Sequence, residues 1–365
     1  MRITQSMTNR LYLNNNNYTK KNMLDIYNRV LTQKKYTRAS MNPLNAEKSM
    51  SIRKGLRDLD IYDDNLQTAD ELFRSAETSL TQVSSNLYNS TSTFLIQGAN
   101  TPIGTTGLTS VGVSLRSLAE EMVDTLNADF NGRQLFGGTS SNPTPFTIKE
   151  IEVDEDAPFN PNGYAERVLY HGIDMTTIYK DDTDGLYYGT MIDEDGTLTE
   201  DTLVPGQGAI YLDIGLGISH TGDNYTVDGN TALDTAMHGF EILGFGTDAD
   251  GYPINIIQLT LDASKVAGPG DLEQVGELSK YIDKTSDARD NVMNKITQLG
   301  VQYNEIEYYL MKNDDYRTSL KERQNTVEGT DIIKDITEYY AVEAAYNASL
   351  QMGGNILPKS IFDFI

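Results

Sequence analysis

The three histidines are the side chains best suited to acid–base or metal chemistry at neutral pH. They are His171, His220 and His238, and none stands four residues from another or within an H-E-x-x-H pattern. A helical zinc site needs two ligands on one face of a helix, which that spacing would supply. We therefore interpret these histidines as surface or turn residues and predict no zinc site.

Acidic clusters are the next candidates, because carboxylate oxygens bind calcium. They occur at residues 181–184, 193–195 and 248–250. None follows the order of an EF-hand loop, with glycine at its sixth position and glutamate at its twelfth. We interpret them as solvated acidic loops.

Two glycine pairs, Gly215 with Gly217 and Gly244 with Gly246, suggest phosphate loops only superficially. Neither continues as a dinucleotide-binding fingerprint or carries the lysine of a P-loop. The chain has no cysteine, which excludes thiol nucleophiles, thiolate metal sites and disulfides. The sequence thus predicts no catalytic residue, no cofactor and no metal, and hence a protein that is not an enzyme.

The net charge of −24 on this 365-residue chain is unevenly distributed. Residues 1–60 hold 12 basic and four acidic side chains, whereas residues 141–265 hold four basic and 23 acidic ones. An acidic middle argues against a nucleic-acid partner, since phosphates need basic surface. The chain contains no run of about 18 apolar residues, so the sequence predicts no membrane span. The polar opening of the sequence is unlike a secretory signal peptide.

The spacing of apolar residues along the chain is more informative than these individual polar side chains. An apolar stripe with steps of three and four residues runs from Leu56 to Phe94 and is broken only at Ser90. A stripe of about five heptads predicts an amphipathic helix of roughly 40 residues. Its principal seam residues are Leu56, Leu59, Leu66, Phe73, Leu80 and Leu87.

A second stripe of the same spacing runs from Val275 to Leu310 and is weakened at Thr285 and Arg289. Between the two stripes, residues 111–126 form a shorter amphipathic pattern fenced by glycines. The three stripes can bury one another, which predicts an antiparallel helical bundle. The seam residues of the second stripe include Ile282, Ile296, Tyr303 and Leu310.

The middle of the chain has a different pattern. From about residue 141 to residue 261, short β-prone runs such as 209–214 and 254–259 lie between Asp-Gly and Pro-containing turns. This pattern predicts an all-β insert. We expect that a short linker could replace residues 145–262 without disturbing either helical stripe.

The two ends of the chain carry matching apolar stripes, within residues 1–31 and 332–357. Four consecutive asparagines at residues 14–17 are expected to interrupt the first end helix. Helices with narrow stripes are marginal in water and need partner helices. The residues expected to make such assembly contacts are Ile3, Met7, Leu11, Leu24, Leu31, Ile332, Ile336, Tyr339, Tyr346, Leu350 and Leu357.

These patterns predict a multidomain α plus β protein. Elongated, discontinuous helical-bundle or coiled-coil domains would be built from both termini, with the all-β insert at the centre. We expect a terminal helical domain (1–44 with 328–365) that is disordered in the monomer. A bundle domain (45–140 with 266–327) and an outer domain (141–265) complete the division.

Several segments resemble the flagellin superfamily in their order and spacing along nearly the whole chain. They are MRITQSM at residues 1–7, QGAN at 97–100, FNGRQLFGGT at 130–139 followed by PF at 145–146, and ILPKSIFDFI at 356–365. The predicted β insert corresponds to the variable part of that superfamily.

The resemblance implies a structural subunit of the bacterial flagellum that joins hook to filament. It implies export through the flagellar type III apparatus without a cleaved signal peptide, and an extracellular location. The implied partners are copies of the chain in a ring, hook-associated protein 1, flagellin and an export chaperone bound through the C-terminal helix. Two alternatives stay open: flagellin itself, or a helical stalk that carries a glycan-binding or hydrolytic outer domain.

Overall fold

Helices lie at both ends of the described part of the chain in this computed structural model, which describes residues 5–36, 38–100, 103–140, 144–152, 164–193, 196–221, 226–228 and 231–356. The α-helices are α1 (Gln5–Thr32), α2 (Pro43–Thr81), α3 (Tyr88–Ala99), α4 (Gly104–Leu126), α5 (Gly239–Leu243), α6 (Ile256–Ala267), α7 (Val275–Glu328) and α8 (Ile332–Ile356). With the central sheet described below, they confirm the predicted multidomain α plus β class.

The chain divides into two compact units. Unit 1 comprises Met1–Ile61 and Lys312–Ile365, and unit 2 comprises Tyr62–Met311. Unit 1 is therefore built from both ends of the chain. The sequence-based division into three domains is finer than this one and stays a prediction.

The strands all lie in unit 2 and pair in antiparallel fashion. A six-stranded sheet has the order β3-β4-β5-β7-β6, with β8 also paired to β7, and β1 with β2, β9 with β12 and β10 with β11 form two-stranded pairs. The strands are β1 (Asp129–Phe130), β2 (Arg133–Gln134), β3 (Phe146–Glu152), β4 (Tyr164–Tyr170), β5 (Ile173–Asp174), β6 (Tyr179–Lys180), β7 (Tyr187–Ile192), β8 (Leu198–Leu203), β9 (Tyr211–Asp213), β10 (His220–Thr221), β11 (Thr226–Val227) and β12 (Ala232–Asp234).

The insert is not all-β, because α5 and α6 lie within the region predicted to be strands. The run at 254–259 was predicted to be a strand from its isoleucines, yet α6 begins at Ile256, and the Asn255 side chain caps it by accepting a hydrogen bond from the Ile257 amide. Ten of the twelve residues of α6 are buried. A helix that is apolar nearly all round lacks the periodicity that would distinguish it from a buried strand.

Helix α6 packs closely against α4 at Gly112. A Cβ at this position would lie 2.7 Å from the Gly268 amide nitrogen and 2.9 Å from the Ser264 carbonyl oxygen. Glycine therefore lets the two backbones approach without a side chain between them. This contact makes α6 part of the helical core rather than part of a separable insert.

A π-helical turn, Gln82–Leu87, separates α2 from α3 and shifts the buried face of the helix. The heptad pattern predicts that the seam continues through Ser90 and Phe94, but the fully buried residues of α3 are Thr91, Leu95 and Gly98. A π-turn accommodates one extra residue, so the seam moves one position along the sequence. The interruption at Ser90 in the sequence marks this change.

Helix α1 is continuous through residues 14–17, so the expected interruption by four asparagines was wrong. Each asparagine costs well under 1 kcal/mol relative to alanine in a helix. The packing of α1 along α8 in unit 1 offsets this cost, because tertiary burial outweighs propensity.

Candidate assembly surface

The pairing of α1 with α8 is the central feature of unit 1. Ile26 is 1% exposed between the two helices, and the Tyr12 hydroxyl donates a 3.1 Å hydrogen bond to the Ser349 carbonyl oxygen. Toward the other end of the pair, Arg29 Nη2 lies 2.8 Å from Glu338 Oε2. As residue numbers rise along α1 they fall along α8, so the pair is antiparallel.

A cluster around Glu328 ties the end of α7 to the start of α2. Arg53 donates two hydrogen bonds to the Glu328 carboxylate, at 2.9 Å and 2.7 Å, and the Ser49 hydroxyl donates a third. Lys34 Nζ lies 3.4 Å away. The hydrogen bonds from Arg53, together with the one from Ser49 and the charge of Lys34, lower the pKa of Glu328 to about 2 against the opposing effect of burial.

Most of the predicted assembly residues lie exposed on α1 and α8. Seven of the eleven are at least 38% exposed: Met7, Leu11, Leu24, Leu31, Ile332, Ile336 and Leu350. Tyr339 and Tyr346 are half-buried between the helices, and Ile3 and Leu357 lie outside the described residues. Further exposed apolar side chains lie on the same two helices: Leu13, Tyr18, Tyr27, Ile333, Tyr340 and Met352. A concentration of exposed apolar side chains on one pair of helices is typical of protein interfaces.

The predicted seam residues lie mainly on inward faces. Leu59, Leu66, Phe73, Leu80 and Leu87 are buried, whereas Leu56 is half-buried. On α7, Ile282, Ile296, Tyr303 and Leu310 are half-buried. Of these, Leu66, Phe73, Leu80 and Leu87 belong to the main core of unit 2, against which Ile282, Ile296 and Leu310 pack.

Arg289, the charged break in the second stripe, has a partner in the π-turn. Its Nε donates a 3.1 Å hydrogen bond to the Ser84 carbonyl oxygen, and its guanidinium lies 5.1 Å from the centre of the Tyr88 ring. The break therefore has a structural role that heptad reasoning did not identify.

The histidines and acidic clusters are engaged in structural contacts. His171 is buried with Nε2 3.2 Å from the Gly137 carbonyl oxygen, and burial lowers its pKa. His238 Nε2 lies 3.0 Å from the Gly208 carbonyl oxygen. Lys284 Nζ lies 2.6 Å from Asp248 and 2.7 Å from Asp250, in the acidic cluster at residues 248–250 that we interpreted as a solvated loop.

Two of the remaining candidates have simpler roles. Asp181 and Asp184 accept hydrogen bonds from backbone amides two residues along the chain, and so close turns. Within the described ranges, no group of three or more His, Cys, Asp or Glu side chains could hold a metal ion. His220 lies in β10, and residues 194–195 lie outside the described residues.

A buried polar network joins α6 to the sheet. The Gln258 side chain accepts a hydrogen bond from the Val168 amide and donates to the Glu166 carbonyl oxygen and to Asp262. Burial raises the pKa of Asp262 to about 6, and the nearby charge of Arg167 opposes this shift. Gln258 and Glu328 were both missed from sequence, because the partners that define them lie 90 and 275 residues away.

The N-terminal part of the chain matches a protein-family model. Residues 3–141, which contain α1 to α4, match the bacterial flagellin N-terminal helical region. This part of the chain is therefore similar to the N-terminal helical region of bacterial flagellin. Among curated proteins, no sequence matches the chain.

Solved structures define the fold more closely. A flagellar hook-associated protein from Vibrio parahaemolyticus is similar with a TM-score of 0.55 at 14% identity, over 79% of this chain and 100% of that one. The chain has the fold of that protein. FlgL from Bacillus cereus (TM-score 0.43, 16% identity, 75% and 99% covered) and flagellar hook-associated protein-3 from Legionella pneumophila (0.46, 14%, 76% and 98%) are also similar.

Across the part of the chain that the structure describes, no helix has both the length and the apolar character required to span a bilayer.

Proposed function

We propose that this chain is a structural subunit of the bacterial flagellum that joins hook to filament, similar to hook-associated protein 3. The observation that carries the proposal is the exposed apolar surface of the α1–α8 pair in a chain with a flagellin-type N-terminal region. Such surface is stabilised when partner helices cover it. The similarity to hook-associated proteins in fold supports the junction role.

The partners follow from this role. Copies of the chain would form a ring that rests on hook-associated protein 1 and accepts flagellin. The chain would leave the cell through the flagellar type III apparatus without a cleaved signal, with an export chaperone on its C-terminal helix. The terminal domain (1–44 with 328–365) would gain stable order only in the assembly, because α1 and α8 leave so much apolar surface uncovered in a single copy.

We propose no enzymatic activity. The support is that the candidate groups have structural partners: a lysine occupies the acidic pair at Asp248 and Asp250, and backbone carbonyl groups hold His171 and His238. Groups committed in this way are poorly placed to act on a substrate.

Flagellin itself is the alternative that the N-terminal match also favours. A filament subunit must be self-complementary along the axis, since a repeated heterologous contact propagates into an open fibre. A junction subunit needs to fit two different neighbours and to stack weakly on itself.

Seeded assembly distinguishes a junction subunit from a flagellin. Concentrated protein mixed with filament fragments should stay soluble or add a short cap, as seen by negative-stain microscopy. Long filaments made of this chain alone would assign it to flagellin.

Matched variants test the surface. Ile336→Asp adds a charge to the exposed apolar face and should abolish capping while leaving the thermal melting of unit 2 unchanged. Thr337→Asp, at the neighbouring exposed position, should cap normally. Equal capping by both variants would show that the exposed apolar face of α8 does not take part in capping.

A further inference from the structure

A pair of tyrosines lies at the β6 end of the six-stranded sheet. Tyr179 on β6 is the direct cross-strand partner of Tyr188 on β7, and their ring centres are 6.2 Å apart with 30° between the ring planes. Tyr179 is 44% exposed. Neither ring belongs to the main core of unit 2, so core packing does not account for the pair.

Each hydroxyl group of the pair donates a hydrogen bond to a carboxylate. Tyr179 Oη lies 2.7 Å from Asp201 Oδ1, and Tyr188 Oη lies 2.8 Å from Asp184 Oδ2. Hydrogen bonds from the Leu186 amide and from Tyr188 lower the pKa of Asp184, which keeps this carboxylate ionised at neutral pH. The two tyrosines and two aspartates form the tyrosine–aspartate site, in which two ring faces are bordered by two carboxylates.

The negative charge of this site has no basic partner within the described ranges. There, no lysine, arginine or histidine forms an ion pair with Asp184 or Asp201. Lys180 follows Tyr179 on β6 and therefore points to the opposite face. The three basic side chains of the sheet have other contacts: Lys149 with the Asp193 carbonyl oxygen, Arg167 with Asp174, and Lys180 with the Tyr187 ring.

The same combination of tyrosine and aspartate holds a basic side chain at other places in the chain. Arg74 Nε lies 2.9 Å from Asp70, and its guanidinium carbon lies 4.3 Å from the centre of the Tyr303 ring. Lys284, which lies between two aspartates, is 5.4 Å from the centre of the Tyr252 ring. In each case the negative face of the ring and the carboxylate both attract the cation. The site on the sheet has both groups twice.

We propose that the tyrosine–aspartate site binds an arginine side chain of a partner protein. A guanidinium group is planar, so it can lie against a ring face while its N–H groups donate to a carboxylate. A lysine ammonium is a compact point charge that does not stack in this way. A quaternary ammonium group, as in a lipid headgroup, has no N–H to donate. The site therefore favours a basic peptide segment that carries arginine.

Saturation-transfer NMR tests this site with the full-length protein and the pentapeptide acetyl-Gly-Gly-Arg-Gly-Gly-amide. A single arginine limits the general attraction that basic peptides have for a chain of net charge −24. The arginine side-chain protons should receive saturation from the protein, with a dissociation constant on the order of 1 mM. Peptides with lysine or trimethyl-lysine in place of arginine should bind about threefold more weakly or less.

Two double variants that leave the net charge unchanged test the rings. Tyr179→Leu with Tyr188→Leu removes both ring faces and should weaken binding about tenfold. Tyr179→Phe with Tyr188→Phe keeps the ring faces and should bind within about threefold of the wild type. Circular dichroism should show that both variants are folded, because neither ring lies in the core.

A matched pair of double variants tests the carboxylates. Asp184→Asn with Asp201→Asn should weaken binding about tenfold, although each asparagine can still accept its hydrogen bond from tyrosine. Asp283→Asn with Asp287→Asn changes the net charge equally at exposed positions of α7 and should bind as the wild type does.

Three outcomes would overturn the proposal. Undiminished binding by the double leucine variant, or equal weakening by the two asparagine variants, would reduce the binding to general attraction between opposite charges. Tighter binding of the trimethyl-lysine peptide than of the arginine peptide would assign the site to a quaternary ammonium ligand instead.

Discussion

At the scale of single residues, Asp262 links stability to pH. Burial raises the pKa of its carboxyl to about 6, from a usual value near 4. Between these values the folded protein holds a proton that the unfolded chain has released. The free energy of unfolding should therefore fall as the pH rises from about 4 to about 6.

Asp262→Asn should remove this fall, because the asparagine oxygen can still accept the hydrogen bond from Gln258 and carries no charge. We expect equal stability below about pH 4 and a gain of about 1–2 kcal/mol for the variant at pH 7. Urea unfolding across this pH range measures both. Exposed Asp182→Asn is the control, and a gain for Asp262→Asn that is the same at every pH would contradict the shifted pKa.

The residues of the candidate surface differ in how far sequence could identify them. Spacing alone selected Met7, Leu24 and Ile336, because an amphipathic period is a local property of the sequence. The Glu328 cluster has no local signature: a glutamate near the end of a helix is ordinary, and its partner Arg53 lies 275 residues away. Such sites need tertiary structure to be recognised.

At the scale of elements, the apolar stripes in the sequence predicted the long helices, whereas no such stripe predicted α6. The stripes predicted α2 and α7 because each of these helices has one apolar face and one polar face. In α6 burial on nearly every side removes that contrast, and its isoleucines favour strand by propensity. The π-turn was not predicted for a related reason. In the sequence, a one-residue shift of the buried face looks like a single polar residue within the apolar stripe, here Ser90.

Arg289 provides the test at this scale. A heptad argument predicts that Arg289→Leu repairs the seam of α7 and stabilises the protein. The contact with the π-turn predicts the reverse, because the Ser84 carbonyl would lose its charged donor, at a cost of about 1–2 kcal/mol. Thermal melting of unit 2 decides between these outcomes.

The control for this test is Asp287→Ala at a nearby exposed position of α7, which should melt within about 0.5 kcal/mol of the wild type. Stabilisation by Arg289→Leu would show that the seam outweighs the π-turn.

At the scale of the whole molecule, the expectation that a short linker could replace residues 145–262 does not hold. That exchange would remove the first half of α6, including the fully buried Ile256 and Ile257, together with Phe146 and Tyr170 from the core that the helices share with the sheet. Loss of several buried side chains costs more than the stability of most domains. We expect the trimmed chain to lack a cooperative melting transition by circular dichroism.

Excision of a short surface turn is the control for this large deletion. Replacing residues 181–186, a turn between β6 and β7 that closes on its own backbone, with a two-residue hairpin turn should leave melting nearly unchanged. A folded protein after the larger deletion would show that α4 can bury its face without α6.

The antiparallel pairing of α1 with α8 also sets the order of events during folding. The hydrogen bond from Tyr12 to Ser349 closes a loop of 337 residues, and the pair between Arg29 and Glu338 closes one of 309. Closing so long a loop carries a large entropic cost in an open chain, and a smaller one once the intervening residues are compact. Helix α1 must therefore wait for α8 before the two can pair, and we expect unit 1 to fold after unit 2.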